Sequence, residues 1–131
     1  MFKLSKNSED LLNTVDKDLQ DLTRAVIKVS PFDFAITCGY RSQLLQEKYY
    51  KEGKTKTMSS KHTEGLAIDI VPFINGKQNY DAVEELLEIL GAFKVVANQM
   101  NIKIRCGDNW NNGKLIKENS FIDMYHIELL R

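Results

Sequence analysis

Apolar residues recur at helical spacing near the start of the chain, at Leu11, Val15, Leu19, Leu22, Val26 and Val29. With Ser8 placed as an N-cap, this spacing predicts one amphipathic helix over 8–29, stopped by Ser30-Pro31. The pattern then changes period. Phe34-Ala35-Ile36-Thr37-Cys38 alternates and predicts a strand ending at Gly39. A short helix is expected from Ser42 to Glu52, with Gly53 as its stop. The polar run Lys54 to Lys61 reads as an exposed loop. Leu66 to Val71 predicts a second strand, and Asn75-Gly76 beyond it carries the signal of a tight turn. Asp81 with Glu84 fits a capping box for a second long helix, whose buried stripe would be Val83, Leu86, Leu87, Leu90, Val96, Ala97 and Met100. Ile102 to Cys106 and Tyr125 to Leu130 predict two more strands, separated by a loop rich in Gly, Asn and Asp. The expected fold is α+β, a small antiparallel central sheet with two long helices and one short helix.

At 131 residues this reads as a single domain, 1–131, with room for one core. Eighteen basic and eighteen acidic side chains cancel, so no global field favours nucleic acid or an anionic membrane. The N-terminal residues lack an apolar signal-peptide core, and no stretch approaches the roughly 20 apolar residues of a membrane span. The expectation is a protein made in the cytoplasm without a signal peptide, acting as a monomer. Cys38 and Cys106 are too few and too far apart for a disulfide framework and read as reduced, buried thiols.

The chain holds only two histidines, His62 and His126. His62 lies in Ser60-Lys61-His62-Thr63-Glu64-Gly65-Leu66-Ala67-Ile68-Asp69, and His126 in Asp123-Met124-Tyr125-His126-Ile127-Glu128. Two imidazoles and the Asp69 carboxylate make a three-ligand zinc set that leaves the fourth tetrahedral position to water, as catalytic rather than structural sites do. A loop histidine and a strand-end aspartate are the plain alternative. It is weakened because Asp69 sits within Ala-Ile-Asp-Ile-Val, where a charge is costly unless it is paired or bound to metal. Asp123, three residues before His126, is the spare carboxylate for proton transfer; a solvated turn aspartate is its alternative.

Arg41 follows a strand and a glycine, a position from which a guanidinium can hold a substrate carboxylate or a developing oxyanion, or simply cap a helix. Ser60 can hydrogen-bond a ligand or substrate, or be plain loop. Asp108 and Trp110 lie in a polar loop suited to a substrate-contacting wall, and Glu128 shares a strand face with His126 as a second partner for that ligand. Glu64 reads as solvated.

These segments together resemble the zinc D,L-peptidases of bacterial cell-wall peptides, the superfamily of D-Ala-D-Ala carboxypeptidases and L-alanyl-D-glutamate peptidases. Its Ser-x-His-x-x-Gly-x-Ala-x-Asp pattern is met by Ser60, His62, Gly65, Ala67 and Asp69, and its acid-x-x-His by Asp123 and His126. Thr37-x-Gly39-Tyr40-Arg41-Ser42 is similar to the family's arginine-bearing turn. Cys106-Gly107-Asp108-Asn109-Trp110 looks like a variant of Trp-Gly-Gly-Asp-Trp, and Tyr125-His126-Ile127-Glu128-Leu129 resembles Pro-His-Phe-Glu-Leu. Aspartate rather than glutamate before the last histidine looks most like the phage-type L-alanyl-D-glutamate endopeptidases.

The resemblance implies one Zn2+ per chain on His62, Asp69 and His126, with Asp123 as base and Arg41 on the substrate or oxyanion. The implied substrate is the peptidoglycan stem peptide, reached by a phage lysis enzyme once the membrane is permeabilised. A D-Ala-D-Ala carboxypeptidase or dipeptidase, a non-catalytic peptidoglycan- or zinc-binding domain, and a structural zinc site completed by Cys38 or Cys106 are the alternatives.

Overall fold

The computed structural model describes residues 1–54, 60–107 and 123–131. Among these lie helices α1 (Lys6–Leu12), α2 (Lys17–Val29), α3 (Gln43–Lys51) and α4 (Val83–Gln99). The strands are β1 (Phe34–Cys38), β2 (Ala67–Ile74), β3 (Lys77–Gln78), β4 (Ile104–Cys106) and β5 (His126–Leu129). The main sheet is antiparallel in the order β1-β2-β5-β4, with β3 folded back on β2. The expected α+β class and the central antiparallel sheet are therefore present.

The sheet is two-faced, as its period of two requires. Ile68 and Ile70 on β2, Ile127 and Leu129 on β5, and Phe34 and Ile36 on β1 are all nearly inaccessible and join one core cluster. That face lies under α4, which also packs against α2, and α2 joins the same core cluster; Phe34 meets Phe93 of α4 with ring centroids 5.6 Å apart. The opposite face of β2 and β5 carries Ala67, Asp69, His126 and Glu128. Cross-strand register places Asp69 beside His126 on one side and Cys38 on the other. A register shift between Ile36 and Cys38 makes this possible, because the bulge brings Cys38 rather than Thr37 opposite Asp69.

The helices depart from expectation in number and phase. The single helix expected over 8–29 is two helices, giving two longer and two shorter helices among the described residues. Asp16 caps α2 by accepting from the Asp18 amide, and the Thr14 hydroxyl donates to the Leu11 carbonyl at 2.6 Å, competing with helix continuation. The break shifts the buried stripe: Leu12 is fully buried, whereas Val29 is 64% exposed. Ser8 is not the cap. Ser5 caps α1, and the buried Ser8 hydroxyl accepts from the Ile36 amide of β1.

The capping box at Asp81 and Glu84 does not form. Ala82 occupies the N-cap of α4 without a side-chain bond, and Asp81 instead donates its amide to Asn79 in the preceding turn. The buried stripe of α4 is Leu86, Ile89, Leu90, Phe93 and Ala97, rotated from the expected one, and Met100 is exposed. The short helix matches expectation: Ser42 caps α3, and Gly53 follows its end at φ +75°. The Asn75-Gly76 turn is also as expected, with both residues at positive φ between the paired Ile74 and Lys77.

The break between α1 and α2 seats the loops that build the site. Tyr40 donates its amide to the Thr14 hydroxyl, and Asp16 donates to the Gly65 carbonyl. Gly39 packs so closely here that a Cβ would stand 2.5 Å from both the Leu11 carbonyl oxygen and Thr14 Oγ1. Only a residue without a side chain lets β1 turn into the Arg41 loop at this point.

Candidate metal and catalytic site

His62 reaches the site from a 3-10 turn, Lys61–Glu64, that precedes β2. Ser60 caps that turn by accepting from the His62 amide, so its hydroxyl holds the ligand's backbone in place. Gly65 ends the turn in the left-handed conformation at φ +69°, which favours glycine. The geometry brings His62, though 64 places earlier in sequence, against His126 edge to face, with ring centroids 5.0 Å apart.

The two imidazoles converge on a single carboxylate oxygen. His62 Nε2 lies 3.1 Å and His126 Nδ1 3.3 Å from Asp69 Oδ1. Two ligand atoms each about 2.0–2.1 Å from a tetrahedral zinc lie roughly 3.3–3.4 Å apart. The spacings therefore suit a zinc ion between these three side chains. The other nitrogen of each ring is already engaged: His62 Nδ1 donates to the Gly39 carbonyl at 2.8 Å, and His126 Nε2 to Glu128 Oε1 at 2.9 Å. Such contacts select the tautomer that leaves Nε2 of His62 and Nδ1 of His126 as acceptors for metal.

Cys38, His62 and Asp69 form a second combination close enough to hold a metal ion. Cys38 Sγ, however, approaches His62 from the Nδ1 side, at 3.7 Å, where the Gly39 carbonyl already takes that nitrogen. A metal on Nε2 beside Asp69 leaves the thiol on the far side of the ring, so the donor set of two imidazoles and the carboxylate fits better. Neither cysteine is disulfide-bonded; Cys106 is buried as expected, and Cys38 is half-buried beside the site.

Charge coupling within the cluster is strong. Burial pushes the His62 imidazole down, but hydrogen bonding and attraction to Asp69, with help from Cys38, lift it to about 10. His126 is likewise raised despite burial, through Asp69 and Glu128. Burial pushes the Asp69 carboxyl up, yet the two histidines hold it well below the usual carboxylate range; Glu128 is lowered by His126 in the same way.

The sign of the pH dependence follows. A raised histidine stabilises the fold fully below its ordinary value of 6.5, and that contribution fades as pH rises toward about 10. A lowered carboxyl contributes above its ordinary range, 3.8 for Asp69 and 4.5 for Glu128, and less as pH falls through and below it. Chelator-treated protein is thus expected to lose melting temperature as pH rises above 6.5, whereas zinc, which competes with protons for the same nitrogens, should reverse that trend. Thermal melts across pH with and without zinc check this; a metal-free melting temperature that climbs above pH 6.5 would contradict the coupling.

Arg41 leans over the same cluster. Its backbone amide donates to the His62 carbonyl at 3.0 Å, tying the arginine loop to the ligand turn. Nη1 donates to Gln46 Oε1 at 2.7 Å, Nη2 contacts Cys38 Sγ at 3.3 Å and stands 3.9 Å from Asp69 Oδ2, and the guanidinium lies 5.1 Å from the centroid of the Tyr49 ring. Nε is buried without a partner among the described residues. A buried donor left unmade costs about 1–3 kcal/mol.

Asp123 opens a 3-10 turn, Asp123–Tyr125, that runs directly into β5 and His126. Its side chain, and all of Asp108 and Trp110, lie outside the described residues. Glu64 is exposed, as expected. Gln46, Tyr49 and the position of Cys38 are the parts that sequence reasoning missed. A glutamine five places after Arg41 is a visible feature, but which face of α3 turns inward is not.

The family described as Phage L-alanyl-D-glutamate peptidase matches the chain over residues 1–130. The L-alanyl-D-glutamate peptidase of Escherichia phage T5 is 36% identical over 113 residues, spanning 84% of this chain and 82% of that protein. Among solved structures, the L-Ala D-Glu endopeptidase ChiX of Serratia marcescens is similar in fold, with a TM-score of 0.83 over 98% of this chain and 90% of that one at 24% identity.

Proposed function

The chain belongs to the phage L-alanyl-D-glutamate peptidase family, and from that premise we propose that it is a zinc-dependent hydrolase of the peptidoglycan stem peptide, cutting the amide between L-alanine and D-glutamate. The observation that carries this reading is the meeting of His62 Nε2 and His126 Nδ1 on one oxygen of Asp69. These three side chains would hold one zinc ion per chain. Zinc bound there supplies Lewis acidity and brings the pKa of water toward about 7.

The remaining work falls to this chain's own groups. Asp123, carried by the turn that leads into His126, would accept a proton from the attacking water and deliver it to the leaving amine nitrogen as the C–N bond breaks. Arg41 would hold negative charge, on the carbonyl oxygen or on a carboxylate of the stem peptide, through donors not already committed to Gln46. Glu128 would keep the His126 ring oriented through its Nε2 hydrogen bond. The half-buried position of Arg41 and Asp69, with side-chain exposures of 13% and 25%, leaves the cluster reachable from outside.

The reading takes the protein as a single catalytic domain that acts as a monomer in phage lysis. No helix among the described residues is long and apolar enough to cross a membrane. Access to the wall would come through a membrane lesion made by another protein.

Mass spectrometry of purified peptidoglycan fragments, digested with and without a chelator, tests the proposal. A metal-dependent product with a new D-glutamate amino terminus is expected. Release of D-alanine or a D-alanyl dipeptide would move the cut to the end of the stem, and absence of any cleavage with zinc bound would leave a binding domain.

A further inference from the structure

Helix α3 inverts the usual rule for what a helix buries. Leu44 is 79% exposed, and Gln46 is fully buried, the one residue of this helix that is. A buried amide is costly unless it is hydrogen-bonded, so packing alone does not account for it. Its Oε1 accepts from Arg41 Nη1 at 2.7 Å. Tyr49, three residues on and therefore on the same face, sets its ring against the same guanidinium. Ser42 caps α3 immediately after Arg41, so the helix start, the arginine and its two supports form one rigid unit.

We propose that Gln46 is a positioning residue that fixes the Arg41 guanidinium over the Asp69 cluster, with Tyr49 as the second wall of the cradle. The inference rests on the role given to Arg41 above. An amide suits this task better than a carboxylate would: it accepts a hydrogen bond without cancelling the positive charge that Arg41 offers the substrate. Together with the Cys38 contact on Nη2, it holds both ends of the fork and leaves Nε uncommitted among the described residues.

A double-mutant cycle on zinc-loaded protein tests it, with stem-peptide hydrolysis as the rate and zinc content and thermal melting as controls. Gln46→Met keeps the size of the side chain and removes the acceptor. Gln46→Asn, should the first variant not fold, keeps an amide that is one methylene too short to reach. Either change is expected to lower kcat/KM by roughly ten- to hundredfold with zinc stoichiometry unchanged, as misplacement of a catalytic group does. In an Arg41→Ala background the same change should have almost no further effect.

Equal losses in both backgrounds would reduce Gln46 to a structural residue and overturn the proposal. Full activity of the Gln46 variants beside an impaired Arg41→Ala would overturn it too, while leaving the role of Arg41 standing. Full activity of Arg41→Ala would instead remove the reading on which the proposal rests.

Discussion

Asp69→Ala is expected to strip the protein of metal and of activity together. Both histidines lean on the same Oδ1, so the substitution removes one ligand and the carboxylate on which the other two converge. A metal ion contributes several kcal/mol to a hydrolytic transition state, and each 1.36 kcal/mol is tenfold in rate. Zinc content should fall well below one per chain and hydrolysis by on the order of 10³-fold or more. The fold itself should survive. Asp69 lies on the sheet face opposite the Ile68 and Ile70 packing, and its side chain is a quarter exposed. The same variant should flatten the fall in metal-free melting temperature above pH 6.5, because the carboxylate that raises His62 and His126 is gone. Metal analysis, rate measurement and pH-dependent melting on one preparation check all three; full zinc occupancy in Asp69→Ala would reject the ligand set.

Asp123→Ala should separate binding from chemistry. Asp123 is not needed for a three-ligand set, so zinc is expected to remain at one per chain. Removing a positioned general base costs about 10²- to 10⁴-fold in rate, and the loss should fall on kcat. Near-normal melting is expected, since the change lies in a short turn ahead of β5 and outside the core cluster. Initial rates beside metal analysis give the answer: hydrolysis at the wild-type rate would place the base elsewhere, and loss of zinc would make Asp123 a ligand rather than a base.

Much of the architecture was legible in the residues. The alternating run Phe34–Cys38 announced β1, and the apolar segments 66–71 and 125–130 announced β2 and β5. Asn75-Gly76 announced the β2–β3 turn, and the Ser42 cap with Gly53 bounded α3. These signals are local: a strand's period, a turn's positive φ and a cap's side-chain acceptor all act within a few residues. The errors lie where local signals compete with distant contacts. Nothing near Thr14 says that its hydroxyl will serve the Leu11 carbonyl and the Tyr40 amide at once, yet that junction helps split one apparent helix into two. Once the helix is broken its phase resets, so Leu12 turns inward and Val29 outward. The rotated stripe of α4 has a similar cause, for Phe93 is drawn inward by Phe34 of β1.

The site divides in the same way. The sequence by itself determined which residue types were available and in what order: two histidines, an aspartate in an apolar strand, an acid three places before the last histidine, and an arginine after a glycine turn. It also determined that His126 and Glu128 share a strand face, because that follows from a period of two. Only the tertiary structure decided that Cys38, Asp69 and His126 stand in register across three strands, that His62 presents Nε2 and His126 Nδ1, and that a buried glutamine holds Arg41. The reason is physical. Residue chemistry and backbone periodicity travel with the chain. Register, bulges, ring orientation and the inward face of a short helix are set by contacts between segments tens of residues apart, and those exist only once the core has closed.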